Sequence, residues 1–181
     1  EIRWHGRGGQ GSVVASELLA EAAFIEGKWV QSFPFFGAER RGAPVMAFTR
    51  ISDEPILIRS QVRRPDIVVC MDPAILNVVD ILEGVKDNGY VIVNCKEKPN
   101  IDTNRYKLVT IDATSIVLEL GLVSAGLPIP NTAMLGALSK GTEIVRLESI
   151  EKAIRRRWKE KLAEKNVEAA RKAFEKAKLW W

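Results

Sequence analysis

The chain has 181 residues, 46% of them hydrophobic and 28% charged, a balance that suits a folded globular protein and excludes a disordered one. One histidine excludes a histidine triad or a multi-histidine metal site within the chain, and two cysteines fall short of the thiolates that a standard iron–sulfur cluster takes. The net charge of +4 is modest but uneven: residues 151–178 hold 11 Lys/Arg against 5 Asp/Glu, a net of +6, which leaves 4 − 6 = −2 for the rest.

Ile2 to His5 reads as a short strand that runs into Gly6-Arg7-Gly8-Gly9-Gln10-Gly11, which has the spacing G-x-G-x-x-G. Val14, Leu18, Ala22 and Ile25 mark one face of the helix that follows, and Gly27 stops it. "KWVQSF" reads as a second strand and "PFFGAERRGAP" as a loop. "VMAFTRIS" and "PILIRS" read as two strands joined across Asp53-Glu54-Pro55.

The continuous apolar run Ile67 to Met71 suits a strand buried on both faces. Asp72 and Pro73 then fit the N-cap and first position of a helix expected to reach toward Gly84. "YVIVNC" and "YKLVTIDA" read as further strands and "TSIVLELGL" as a helix. The uncharged run Leu120 to Ser139 is long enough to span a membrane, but Pro128, Pro130 and Asn131 break it, and a helix broken there would leave backbone groups unpaired in lipid. Asn131 reads as the N-cap of "TAMLGALSK". Amphipathic helices close the chain from about Ser149, with a restart at Asn166. Strand–helix–strand alternation implies one α/β domain over residues 1–181, with three layers and a mostly parallel sheet carrying helices on both faces.

Glycines between a strand and a helix let the backbone approach a ligand and aim N–H groups at it, and the helix N-terminus favours an anion. Arg7 adds a charge within the turn. The alternative is a tight turn that needs positive φ and binds nothing. A dinucleotide fingerprint also requires an acid about twenty positions on, closing the second strand. Here the first acid after Glu26 is Glu39, in a loop beside two arginines, so a stand-alone dinucleotide-binding oxidoreductase loses most of its support. In that loop, Gly37 to Pro44, Arg40 and Arg41 suit a phosphate or carboxylate clamp that Glu39 orients; the alternative is a rigid loop whose charges meet only each other or a neighbouring subunit. Cys70 and Cys95 lie in apolar runs and suit buried thiols, and such cysteine usage makes the cytoplasm the natural compartment. The basic tail intersperses acids with its basic residues and repeats apolar positions at Ile150, Ile154, Trp158 and Leu162, which favours a solvated helical face over a nucleic-acid surface.

Taken together, "RWHGRGGQG" (Arg3 to Gly11), "FGAERRGAPV" (Phe36 to Val45), "PDIVVCMDP" (Pro65 to Pro73), "NTAMLGALSK" (Asn131 to Lys140) and "NVEAARKAFE" near the end resemble the gamma subunits of the 2-oxoacid:ferredoxin oxidoreductases, most closely the pyruvate and ketoisovalerate branches. Ala38 departs from the pattern, which often has proline there. The resemblance implies a subunit of a multisubunit enzyme with alpha, beta and delta partners, acting on a 2-oxoacid such as pyruvate and passing electrons to ferredoxin through the complex. Thiamine diphosphate and the iron–sulfur clusters would then reside on partner subunits, and this chain alone would hold no cofactor and no activity. Coenzyme A is the expected contact, met by Gly6, Arg7, Gly8, Gly9, Gln10, Gly11, Arg40, Arg41 and Asn131. A purely structural assembly role is the rival reading. Neither nucleic acid nor a membrane is expected as a partner.

Overall fold

The computed structural model describes residues 1–35 and 43–181. A seven-stranded mixed sheet runs in the order β2-β3-β1-β4-β5-β6-β9. Its centre is parallel: β1 (Ile2–Arg7), β4 (Ile67–Cys70), β5 (Tyr90–Asn94) and β6 (Lys107–Ile111) pair side by side in that sense. Antiparallel strands extend both edges, with β3 (Pro44–Ser52) on β1, β2 (Trp29–Phe35) on β3, and β9 (Lys178–Trp180) on β6. The α/β class expected from the alternation is what forms, and the mixed edges come from β2–β3 and the chain end.

Period-two alternation splits β1 between the two faces of the sheet. Ile2 and Trp4 point to the larger core, together with Val69, Ile92 and Val109. That face is covered by α1 (Ser12–Ile25), α2 (Ala113–Glu119), α3 (Asn131–Thr142), α4 (Leu147–Arg157) and α5 (Glu160–Lys176). α3 is buried nearly all round, as a helix enclosed by sheet and helices must be. A Cβ on Gly136 would overlap the Ala170 carbonyl of α5, and one on Gly141 would overlap Val109 of the sheet, so glycine is what lets α3 dock this closely. Trp4 is fully buried and donates its indole N–H to Thr49 Oγ1 at 3.0 Å, while the Thr49 hydroxyl donates to the Ser16 carbonyl at 3.1 Å.

The other face carries Val68, Cys70, Val91, Val93 and Leu108, and Ile75, Ile81, Val85, Ile101 and Tyr106 cover it. These covering residues come from a 3-10 helix, Pro73–Asn77, and from turns, not from the longer helix expected toward Gly84. Asp72 does cap the segment, accepting from Ala74 N at 2.9 Å, and Pro73 does open it. Extension stops where Asn77, Val78 and Val79 meet Asp80, whose carboxylate accepts from Leu82 N at 2.9 Å and holds a turn in competition with the helix.

Three further expectations are corrected. "PILIRS" forms no strand: the buried Arg50 guanidinium donates to the carbonyls of Ile58 (3.5 Å) and Ser60 (2.7 Å), engaging acceptors that a ladder would need. The last helix starts at Glu160, not at a restart near Asn166. Asn131 is the first residue of α3 with Pro130 as its cap, and its Oδ1 accepts from the N–H of the adjacent Thr132 at 2.8 Å. No helix among the described residues is long and apolar enough to cross a membrane.

Candidate functional site

The carboxyl end of β1, the glycine turn and the N-terminus of α1 form one continuous feature. Gly9 and Gly11 adopt φ of +98° and +81°, which side-chain-bearing residues rarely do, and Gly11 serves as the cap of α1. Space forces the same choice, since a Cβ on Gly11 would come within 2.7 Å of Asn131 Nδ2 and one on Gly6 would overlap Ser12 Oγ. Asn131 and the glycine turn, 120 positions apart in sequence as 131 − 11, are therefore in contact.

Much of the turn is internally bonded. The Gly8 N–H donates to the Ala43 carbonyl at 3.2 Å, and the Gln10 N–H donates to the Arg7 carbonyl at 3.1 Å. Gln10 Oε1 accepts from the Arg7 N–H at 2.8 Å, while its amide nitrogen donates to Asp72 Oδ2 at 2.9 Å. The same carboxylate oxygen pairs with Arg7 Nε at 3.1 Å. Asp72 therefore ties the end of β4 to the turn, a role beyond the helix cap read from sequence. The first turn of α1, residues 12–14, has N–H groups with no acceptor within the helix.

That first turn borders a cavity of about 640 Å³. Arg7, Gly8, Gly9, Gly11 and Asn131 supply its polar side. Val13, Val14, Leu122, Ile129, Trp158 and Leu162 supply an apolar wall. The short hairpin of β7 (Val123–Ser124) and β8 (Leu127–Pro128) flanks the opening, and Leu127 Cδ1 lies 3.6 Å from where a Cβ of Gly9 would stand. Val123 and Leu162 of the lining, and Leu127 beside Gly9, remain 42%, 47% and 44% exposed. Ser12 Oγ is buried with no hydrogen-bond partner among the described residues, a costly state beside a helix N-terminus.

Of the residues expected from sequence, Arg7, Gly8, Gly9, Gly11 and Asn131 line this cavity, while Gly6 and Gln10 support the turn behind it. Arg40 and Arg41 lie outside the described residues, although the chain resumes at Ala43 against the turn and Pro44 pairs with Arg7. Sequence reasoning missed Ser12, Leu122, Ile129, Trp158, Leu162 and Asn166. The i, i+4 series through Trp158 and Leu162 was their one signal, and it reads equally as a helix packing face.

His5 and Cys70 are buried, and Cys95 is half-buried. His5 is buried on the opposite face of β1, where its Nε2 accepts from Arg3 Nε at 3.0 Å; burial, reinforced by the Arg3 charge, lowers its pKa to about 4. Arg3 donates onward to the carbonyls of Ile81 and Glu83. Burial raises the Cys70 thiol to about 12 and the Cys95 thiol to about 11, so both stay protonated near neutrality. The arginines of the basic tail are paired: Arg155 and Arg171 hold Glu151, and Arg156 and Arg157 reach Glu21 and Glu17 of α1. Among the described residues, the strand after α1, β2, lies at the sheet edge and pairs only with β3. In a dinucleotide fold the second strand lies directly beside the first, and here β3 separates β2 from β1.

A profile of the family described as "Pyruvate ferredoxin/flavodoxin oxidoreductase" matches residues 1–176. The "Pyruvate/ketoisovalerate oxidoreductases common subunit gamma" of Pyrococcus abyssi is 53% identical, with 99% of this chain and 98% of that one covered. Among solved structures, pyruvate oxidoreductase subunit PORC of Thermotoga maritima superposes with a TM-score of 0.81 at 40% identity, covering 98% of this chain and 96% of that chain. The 2-oxoglutarate:ferredoxin oxidoreductase of Magnetococcus marinus, solved with 2-oxoglutarate, coenzyme A and succinyl-CoA bound, shares the fold with a TM-score of 0.74 at 20% identity; the match covers 95% of this chain and 30% of that one.

Proposed function

The chain belongs to the pyruvate ferredoxin/flavodoxin oxidoreductase family as a gamma-type subunit, and from that premise we propose that it helps position coenzyme A within a multisubunit 2-oxoacid:ferredoxin oxidoreductase. The observation that carries this reading is convergence: the glycine turn, the first turn of α1 and Asn131 meet at one cavity that also has apolar lining. Coenzyme A combines anionic phosphates with apolar and ring portions, and the cavity offers complementary chemistry side by side. Fixing the acyl acceptor accelerates its reaction by orientation, without a nucleophile from this chain. Arg7 is already neutralised by Asp72, so the first-turn N–H groups and Asn131 are the main anion contacts, with Arg40 and Arg41 adding charge.

In this proposal the 2-oxoacid, with pyruvate the leading candidate, is decarboxylated on thiamine diphosphate held by a partner subunit. Iron–sulfur clusters on partners carry electrons to ferredoxin, and the isolated gamma chain is inactive. The chain has two cysteines where a standard cluster takes four thiolates, which supports that placement of the clusters. The alpha, beta and delta subunits are the proposed partners. A second reading, assembly alone, draws on the exposed apolar side chains of Val123, Leu127 and Leu162.

One experiment separates the two. In the reconstituted complex, Asn131→Ala and the double variant Arg40→Ala/Arg41→Ala should each raise the apparent KM for coenzyme A about tenfold with kcat retained, as loss of a charge-assisted contact does. Native mass analysis reports whether each complex is intact. Unchanged KM in intact complexes refutes the positioning role, and loss of subunits before any kinetic change supports assembly alone.

A further inference from the structure

The apolar wall of the cavity contains one flat aromatic surface. Trp158 sits at the break between α4 and α5, with extended backbone (φ −119°, ψ 158°), and its N–H donates to the Ile154 carbonyl at 3.1 Å. The break is fastened on both sides. Arg157 pairs with Glu17 of α1 at 2.9 Å, and Arg155 joins Glu164 of α5 at 2.8 Å and Glu151 of α4 at 3.2 Å. The side chain is partly buried, packs against the larger core and contributes to the cavity lining. Among the described residues no aromatic ring pairs with it. A cation stands close by: Lys165 Nζ lies 3.5 Å from where a Cβ of Gly121 would be, and Gly121 lines the same cavity.

We propose that Trp158 is a specificity-determining residue of this cavity, the platform on which the adenine ring of coenzyme A rests, with Lys165 facing the adjoining phosphates. The inference rests on the coenzyme A reading of the cavity and assigns the nucleotide end of the molecule to the α4–α5 break. An indole that packs on the core beside a fastened helix break loses little freedom when a planar heteroaromatic ring stacks on it, and truncating the ring removes that stack. The pantetheine arm then extends past the glycine turn toward the partner subunit that holds the reacting group.

The test compares coenzyme A with pantetheine, which carries the thiol but no nucleotide, as acyl acceptors for the reconstituted complex. Trp158→Leu should raise the apparent KM for coenzyme A about tenfold while leaving that for pantetheine unchanged, the size expected for loss of one base–aromatic stack. Lys165→Gln should show the same selectivity with a smaller, roughly threefold rise. Equal changes for both acceptors, or no change for coenzyme A, overturn the platform. If Trp158→Leu impairs assembly, Trp158→Phe is read the same way: the smaller ring should worsen the coenzyme A to pantetheine preference by about threefold, and an unaltered preference overturns the proposal. A response at Asn131 without one at Trp158 removes this inference and leaves the coenzyme A reading standing. Silence at both positions removes both.

Discussion

On one face of the sheet, α3 lies locked between β6 and α5 by Gly136 and Gly141, and its Leu135 is wholly enclosed. On the other face, Ile75 is equally enclosed, yet its cover is a 3-10 helix of five residues followed by turns. The difference teaches that equal burial need not mean equal rigidity. The cavity, with Asn131 of α3 and Asn166 of α5, is built on the thick side, where Thr132 Oγ1 donates to Asn166 Oδ1 at 3.0 Å and joins the two helices. The thin side carries the buried Arg3–His5 pair and both cysteines, groups the proposed chemistry does not use.

Paired truncations are the strongest way to break this comparison. Leu135→Ala should cost about 4 kcal/mol, because helices that are already in contact leave no room to collapse into the void. Ile75→Ala should cost about 2 kcal/mol, because a single turn of chain is able to sink toward the sheet. Urea unfolding of the isolated chain checks both, and equal costs would show the thin face to be as well fixed as the thick one.

The thick face was the more legible in the sequence. Val14, Leu18 and Ala22 announced α1, the apolar run at Ile67 announced β4, and the glycine spacing marked the turn that borders the cavity. What escaped the sequence depended on distant partners. "PILIRS" has the composition of a strand, but Arg50 engages two of its carbonyls, and nothing local reveals that. The helix after Pro73 had its cap and its opening residue, and then lost to the Asp80 turn. β9 was too short and terminal to carry a pattern, and it forms because Trp180 reaches Thr110 Oγ1 at 3.0 Å. Trp158 looked like one more position on a helical face until the break beside it turned a packing residue into part of a cavity wall.

The His5 environment sharpens the comparison by pH. Its folded-state pKa of about 4 lies below the ordinary 6.5, so the unfolded chain binds the proton more readily. The stability held by neutral His5 is complete above pH 6.5 and falls away as pH drops through the folded value near 4. By pH 5 the loss should reach about 2 kcal/mol, read from urea midpoints between pH 7.5 and 5. His5→Gln, which keeps an acceptor for Arg3, should flatten that window. Asp66 and Glu26, held below their ordinary carboxylate values, titrate lower still and leave it clear.

The cysteines give the smallest effect, a rate without a stability change. At pH 8 a thiol raised to about 11 has a thiolate fraction on the order of a hundredfold below that of an ordinary cysteine, so iodoacetamide should modify Cys95 about that much more slowly than a small-molecule thiol. Cys70, raised to about 12 and donating its S–H to the Asp72 carbonyl at 3.1 Å, should resist modification longer still. In denaturing urea the two should react alike. If Cys70 reacts as fast as Cys95 in the folded chain, the thin cover opens on the timescale of labelling, and the distinction between the faces becomes one of opening frequency as well as packing.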